Sequence, residues 1–144
     1  MGKRRKSREL ALQALYHLDI VKEDPEALLQ LFWENFSPQE EVKAFCSSLI
    51  EGAWKKREEI DELVKRNCEN WRVERMAIVD RNILRMAVFE LLYCSDIPYK
   101  VTLNEAIEMA KKFGSEDSGS FINGVLDRIA KQTLEKHGRL GSEG

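Results

Sequence analysis

From Met76 to Cys94 the chain is apolar on nearly every side of a helical wheel. Ile78, Val79, Ile83, Leu84, Met86, Val88, Phe89, Leu91 and Leu92 leave little room for a polar face. A helix of that kind is stable in water when other helices surround it. It is no membrane span: no run approaches the ~18 apolar residues such a span needs, and the longest candidate, Met86 to Cys94, is broken by Glu90. The segment therefore demands a bundle in which it is the central member. The remaining sequence can supply the cover, because hydrophobic residues make up 43% of the 144 and only three prolines and eight glycines interrupt them. Period-two alternation is absent, which excludes a sheet.

The covering helices announce themselves by face and cap. Leu10, Ala11, Ala14, Leu15, Leu18 and Val21 fall on one arc of a first helix, about Arg5 to Val21. Asp24-Pro25 offers an N-cap and a proline at the first helical position for a second, with Leu28, Leu29, Leu31 and Phe32 inward. Ser37-Pro38-Gln39-Glu40 reads as a capping box opening a third helix, with Val42, Phe45, Cys46, Leu49, Ile50 and Ala53 on its face. A break is expected between Gly52 and Glu59, followed by a fourth helix carrying Ile60, Leu63, Val64 and Asn67. Beyond the central fifth helix, Thr102-Leu103-Asn104-Glu105 forms another capping box, and Gly114 closes the sixth. A seventh helix is expected from Ser118 to Lys136, with Phe121, Ile122, Val125, Leu126, Ile129 and Leu134 inward and Gly138 as its stop. The expectation is an all-α bundle of about seven helices in one domain over 1–144. An N-terminal helical half covers about 1–52, and a larger C-terminal half covers about 53–138.

Catalytic chemistry finds no footing. His17 and His137, the two histidines, lie near opposite ends and pair with no cysteine at a ligand or nucleophile spacing. Cys46, Cys68 and Cys94 sit in apolar patterns, are odd in number and form no C-x-x-C. They read as core residues of a protein in a reducing compartment. Glu40-Glu41 and Glu58-Glu59 are adjacent on helices and diverge by about 100°, so neither is a convergent acid-base pair. Residues 114–120 hold two acids and lack the lysine of a phosphate loop. No enzyme, metal site or cofactor is expected. With no signal-peptide or membrane pattern, a cytoplasmic protein is expected.

Charge placement is more informative than the net charge of −2. Lys3, Arg4, Arg5, Lys6 and Arg8 cluster in the first eight residues without an acid, leaving the rest of the chain net acidic. Such a segment leading into a helix is an electrostatic footprint for phosphate, or else a solvated tail. At the start of the seventh helix, Phe121 lies at the edge of the apolar arc beside Asp117 and Ser118. Phe121 is either core or a platform on which a single-stranded base stacks, with the Asp117 carboxylate accepting from a base amine. On the fifth helix, Arg81 and Arg85 share a face. They pair internally with Asp80 or Glu90, or they meet a partner.

Four blocks of residues carry a family resemblance. They are Arg4-Arg5…Arg8 with Ala11-Leu12-Gln13-Ala14-Leu15-Tyr16, then Asp80-Arg81-x-Ile83-Leu84-Arg85-x-Ala87…Glu90-Leu91. Next comes Asp96-Ile97-Pro98-x-Lys100-Val101…Asn104-Glu105-Ala106…Ala110-Lys111…Phe113, and last Ser118-x-x-Phe121-Ile122-Asn123-Gly124-Val125-Leu126. In this order they resemble the NusB transcription antitermination factors over almost the whole chain, residues 20–75 matching weakly. The resemblance implies two packed helical subdomains and a non-enzymatic role. It implies binding of single-stranded boxA RNA together with NusE, a small-subunit ribosomal protein, and entry into an antitermination complex with RNA polymerase and other Nus factors. Carried over, the RNA surface comprises Lys3, Arg4, Arg5, Lys6 and Arg8 with Asp117, Ser118, Phe121 and Arg85, and the NusE surface includes Asp80. Gly119 and Ser120 stand where some relatives carry a bulkier or basic residue. Some members self-associate, and a homodimer is left open by this sequence. Two other readings compete: a purely structural helical interaction module, and a stand-alone RNA-targeting domain like those fused to RNA methyltransferases.

Overall fold

A computed structural model describes residues 2–22, 24–35, 38–68 and 75–136, the side chains of 134–136 excepted. The inward placement of Leu134, the cap at Ser37, and His137 and Gly138 lie outside what is described. Among the described residues there are seven helices and no strand: α1 (Lys3–Val21), α2 (Pro25–Asn35), α3 (Glu40–Lys55), α4 (Arg57–Arg66), α5 (Ile78–Tyr93), α6 (Tyr99–Phe113) and α7 (Ser118–Lys136). The central member is α5, which touches α1, α3, α4, α6 and α7. Its Ile83, Leu84, Met86, Ala87 and Val88 are buried, as a helix apolar all round requires. One hydrophobic cluster runs from Leu10 on α1 to Ala130 on α7.

Local chemistry explains the boundaries. Lys22 ends α1 in the left-handed conformation (φ 59°), and its N–H donates to the Leu18 carbonyl at 2.7 Å. The expected break after Gly52 falls at Lys56, between α3 and α4. Gly52 itself serves packing: a Cβ there would overlap the Phe89 ring, so glycine lets the aromatic of α5 approach the backbone of α3.

Several expectations need correcting. The third helix begins at Glu40 behind an extended Gln39, not at Pro38. The sixth begins at Tyr99, because Pro98 presets the backbone at the N-cap. Thr102 and Glu105 therefore sit within the helix rather than capping it, and their side chains are released for tertiary pairing. Val21 and Leu31 belong to the outside, Leu31 at 56% exposure. Cys46 and Cys68 are buried and Cys94 partly so, all free thiols; burial pushes the Cys46 thiol up to about 12.

Candidate nucleic-acid interface

The five clustered cations separate according to where they fall on α1. Arg8 points into the bundle and is 3% exposed. Its Nε and Nη2 donate to the two carboxylate oxygens of Glu90 on α5, both at 2.8 Å, and the Thr102 hydroxyl on α6 donates to the same carboxylate at 3.0 Å. Burial acts to lower the pKa of the Arg8 guanidinium, but the hydrogen bond and charge of Glu90 outweigh it and keep the pKa raised. Arg8, expected on the RNA surface, is thus a buried clamp joining α1, α5 and α6.

The other four lie on the surface. Lys3 meets Glu41 at 3.1 Å, and Arg4 meets Asp96 at 3.5 Å while stacking over Phe45 at 4.6 Å. Arg5 makes a two-pronged pair with Glu105, Nε at 3.0 Å and Nη2 at 2.6 Å. Lys6 is exposed, with no ion pair among the described residues. Arg5 and Glu105 line two neighbouring grooves. One, of about 300 Å³, is walled by Arg4, Asp96, Ile97 and Val101; the other, of about 290 Å³, by Glu9, Glu108, Lys111 and Lys112.

That second groove adds two residues absent from the set expected on sequence grounds. Lys112 on α6 pairs with Glu9 of α1 at 3.0 Å, and Lys111 packs beside Gly119 at the start of α7. A Cβ at Gly119 would meet the Lys111 side chain at an ordinary 3.7 Å, so glycine leaves space here without being required. Lys111 and Lys112 carry the strip of cations from α1 onto α6, as far as Gly119 of α7. Their signal was available, since two lysines end a helix just before Gly114.

At the head of α7 the candidates also divide. Ser118 is buried, and its hydroxyl accepts the Ser115 N–H at 2.9 Å, closing the loop before the helix. Ser118, expected among the RNA contacts, thus has a structural task in this loop. Asp117 is exposed, with its carbonyl taking the Phe121 N–H at 3.2 Å. Phe121 packs against the rim of the core and is only partly buried, which joins the two alternatives: one part of the ring is packing, the rest is accessible.

Arg85, also expected on the RNA surface, lies inside the bundle. It is buried and pairs with Asp61 on α4 through two bonds (2.8 and 2.7 Å) and with Asp19 on α1 at 3.1 Å. Asp19 further accepts from Arg81 (2.7 Å), Asn82 (3.0 Å) and Lys22 (3.0 Å). Internal pairing was the right kind of answer for Arg81 and Arg85, but the partners are Asp19 and Asp61 rather than Asp80 or Glu90. Burial pushes the Asp19 carboxyl up, and the hydrogen bonds from Lys22, Asn82 and Arg81 with the charge of Arg85 more than reverse it, holding it at about 2. Asp80, half-buried in the first turn of α5, has a buried Oδ1 without a hydrogen-bond partner among the described residues.

Among the described residues no group of three or more His, Cys, Asp or Glu stands arranged to hold a metal. No helix of these residues is long and apolar enough to cross a membrane. The arrangement offers a strip of paired surface cations, two shallow grooves and a half-accessible aromatic.

Comparison with known proteins agrees over nearly the full length. A family model described as the NusB family matches residues 5–131. A transcription antitermination protein NusB of Desulforapulum autotrophicum is 53% identical over 131 residues, covering 90% of this chain and 92% of the relative. Among solved structures, T. maritima NusB superposes with a TM-score of 0.82 at 40% identity, over 92% of this chain and 96% of that one. A crystal structure of antitermination factors NusB and NusE in complex with dsRNA contains a chain with TM-score 0.82 at 28% identity, covering 92% and 98%.

Proposed function

The chain belongs to the NusB family, and from that premise we propose that it is a non-enzymatic, RNA-binding transcription antitermination factor of the cytoplasm. It binds boxA RNA together with NusE and through that complex joins RNA polymerase and other Nus factors. The observation that carries this reading is the family match over residues 5–131, at identities near one half to curated antitermination proteins. The solved complex of NusB, NusE and RNA supports the choice of partners.

At the residue level, Lys3, Arg4, Arg5 and Lys6 meet phosphates, which position an RNA without reading its sequence. Phe121 stacks on a base and Asp117 accepts from one. Arg8, Arg85 and Ser118 hold the surface in shape. Asp80 faces NusE from the first turn of α5, where the residue is half-buried. Packing of α1 and α3 on α5 supports reading the two helical halves as one domain.

RNA titration at several salt concentrations, with and without NusE, tests the reading. With about three to five phosphates contacted, log K against log salt has a slope of roughly −2 to −3.5. A salt-independent affinity overturns it. Asp80→Lys should reduce NusE pull-down with helicity intact, and unchanged pull-down removes Asp80 from that interface.

A further inference from the structure

The exposed cations of this surface are largely spoken for. Lys3, Arg4, Arg5, Lys111 and Lys112 each face a carboxylate of the same chain. The other four pairs are single contacts, at 3.0 to 3.6 Å. Arg5–Glu105 differs in three respects. It is two-pronged, at 3.0 and 2.6 Å; the Glu105 side chain is only 16% exposed while that of Arg5 is 43% exposed; and both residues line the two grooves beside α1.

We propose that Glu105 is a specificity-determining residue of the RNA surface: it occupies the face of Arg5 that a phosphate would use, so that binding at Arg5 is an exchange of one anion for another. This deepens the RNA-binding reading and rests on it. A guanidinium offers its Nε–Nη2 edge equally to a carboxylate or a phosphate. In the free protein that edge is filled, and a phosphate must displace Glu105 and then sit near its charge. The hydrogen bond from Arg5 also holds the Glu105 carboxyl below the usual carboxylate range, so it remains ionised at neutral pH and does not yield by protonation. Exchange returns little net attraction. RNA that offers phosphates alone is therefore held weakly, and tight binding has to draw on the base contacts at the head of α7.

The test is titration of single-stranded oligouridylate and oligoadenylate with the parent protein, Glu105→Gln, Glu41→Gln and Arg5→Ala, at low and high salt, each variant checked by thermal unfolding. Glutamine keeps the shape of Glu105 and removes its charge. Glu105→Gln should bind both homopolymers about two- to fivefold tighter at low salt, the size of one surface ion pair, and the gain should shrink at high salt. Glu41→Gln, the same change in net charge beside Lys3, should gain distinctly less. An equal gain in both variants reduces the effect to net charge and overturns the assignment. Unchanged or weaker binding by Glu105→Gln, with Arg5→Ala still defective, overturns it while leaving the RNA surface in place. Binding indifferent to Arg5→Ala overturns both the assignment and the placement of RNA on this face.

Discussion

Arg5 and Arg8 lie one helical turn apart in the same basic cluster, yet they have opposite environments. Arg8 is almost in line with Leu15, seven residues on, and shares the buried stripe of α1 with Ala11 and Leu18. It is desolvated, and its carboxylate partner is supplied from α5 with a third group from α6. Arg5 is rotated off that stripe and keeps its ion pair at the surface. The difference teaches that clustering of like charge in a sequence marks no common role. Helical phase and distance from the helix end together decide which members face solvent: Arg4 shares the face of Arg8 one turn earlier, yet its side chain is 54% exposed at the start of α1. A cation on the apolar phase is buried only where a partner waits opposite.

Arg8→Ala gives the widest separation. Removing one member of a buried ion pair leaves the other charged and unpaired, at a cost of about 3–5 kcal/mol. Urea unfolding should register that loss, whereas Arg5→Ala should stay within about 1 kcal/mol, the range of an exposed pair. Similar midpoints for the two variants would erase the distinction.

Acid sharpens the comparison through Asp19. Its carboxyl is held at about 2 against an ordinary 3.8, so it stabilises the fold fully above pH 4. That contribution drains away as pH falls through 4 towards 2, by about 2 kcal/mol, since a pKa displaced by one pH unit corresponds to about 1.36 kcal/mol. Unfolding measured between pH 2 and 6 should show this acid limb, and Asp19→Asn should flatten it. A variant that retains the parent's full acid limb would place the titration elsewhere.

The fold was largely legible in the sequence because it is written in apolar phase. The nearly all-round apolar character of 76–94 made α5 central, and Asp24-Pro25 and Ser118 marked helix starts closely. The misses share a physical origin. At 102–105 a local capping pattern competed with Pro98, and the proline won because it fixes its backbone whatever the neighbours do. The buried, paired settings of Arg8, Arg85 and Ser118 were not legible because their partners, Glu90, Asp61 and Asp19, and Ser115, are polar residues whose own sequence context reads as an interruption or a surface. Long-range ion pairing has no period, so no local pattern announces it. Lys111 and Lys112 were overlooked for the converse reason: the strip they extend exists only once α6 is laid beside α1.

Phe121 stands between the two environments. Because it is only partly buried, Phe121→Leu, which preserves most of its apolar volume, should cost less than about 1.5 kcal/mol of stability. Losing the π-face should weaken RNA binding by about 1–3 kcal/mol per stacked base. Thermal unfolding with RNA titration at one fixed salt, NusE present, separates these. A folded variant with full affinity returns the ring to packing alone.

The smallest stability effect belongs to the exposed end of α1, and it completes the contrast. Replacing Lys3, Arg4 and Arg5 together by alanine removes three pairs whose cations are all at least two-fifths exposed. Exposed pairs contribute between nothing and about 1 kcal/mol each, because water and salt already screen them. The melting temperature should therefore move little, while the salt dependence of RNA binding should flatten. Every phosphate that no longer meets a cation removes roughly 0.7 from the log–log slope, so the triple replacement takes away about 2. The weakening should be the same for every RNA sequence, since phosphates position without specifying. If the triple variant instead unfolds as readily as Arg8→Ala, the surface cations belong to the same structural network as the buried one, and exposure does not divide them.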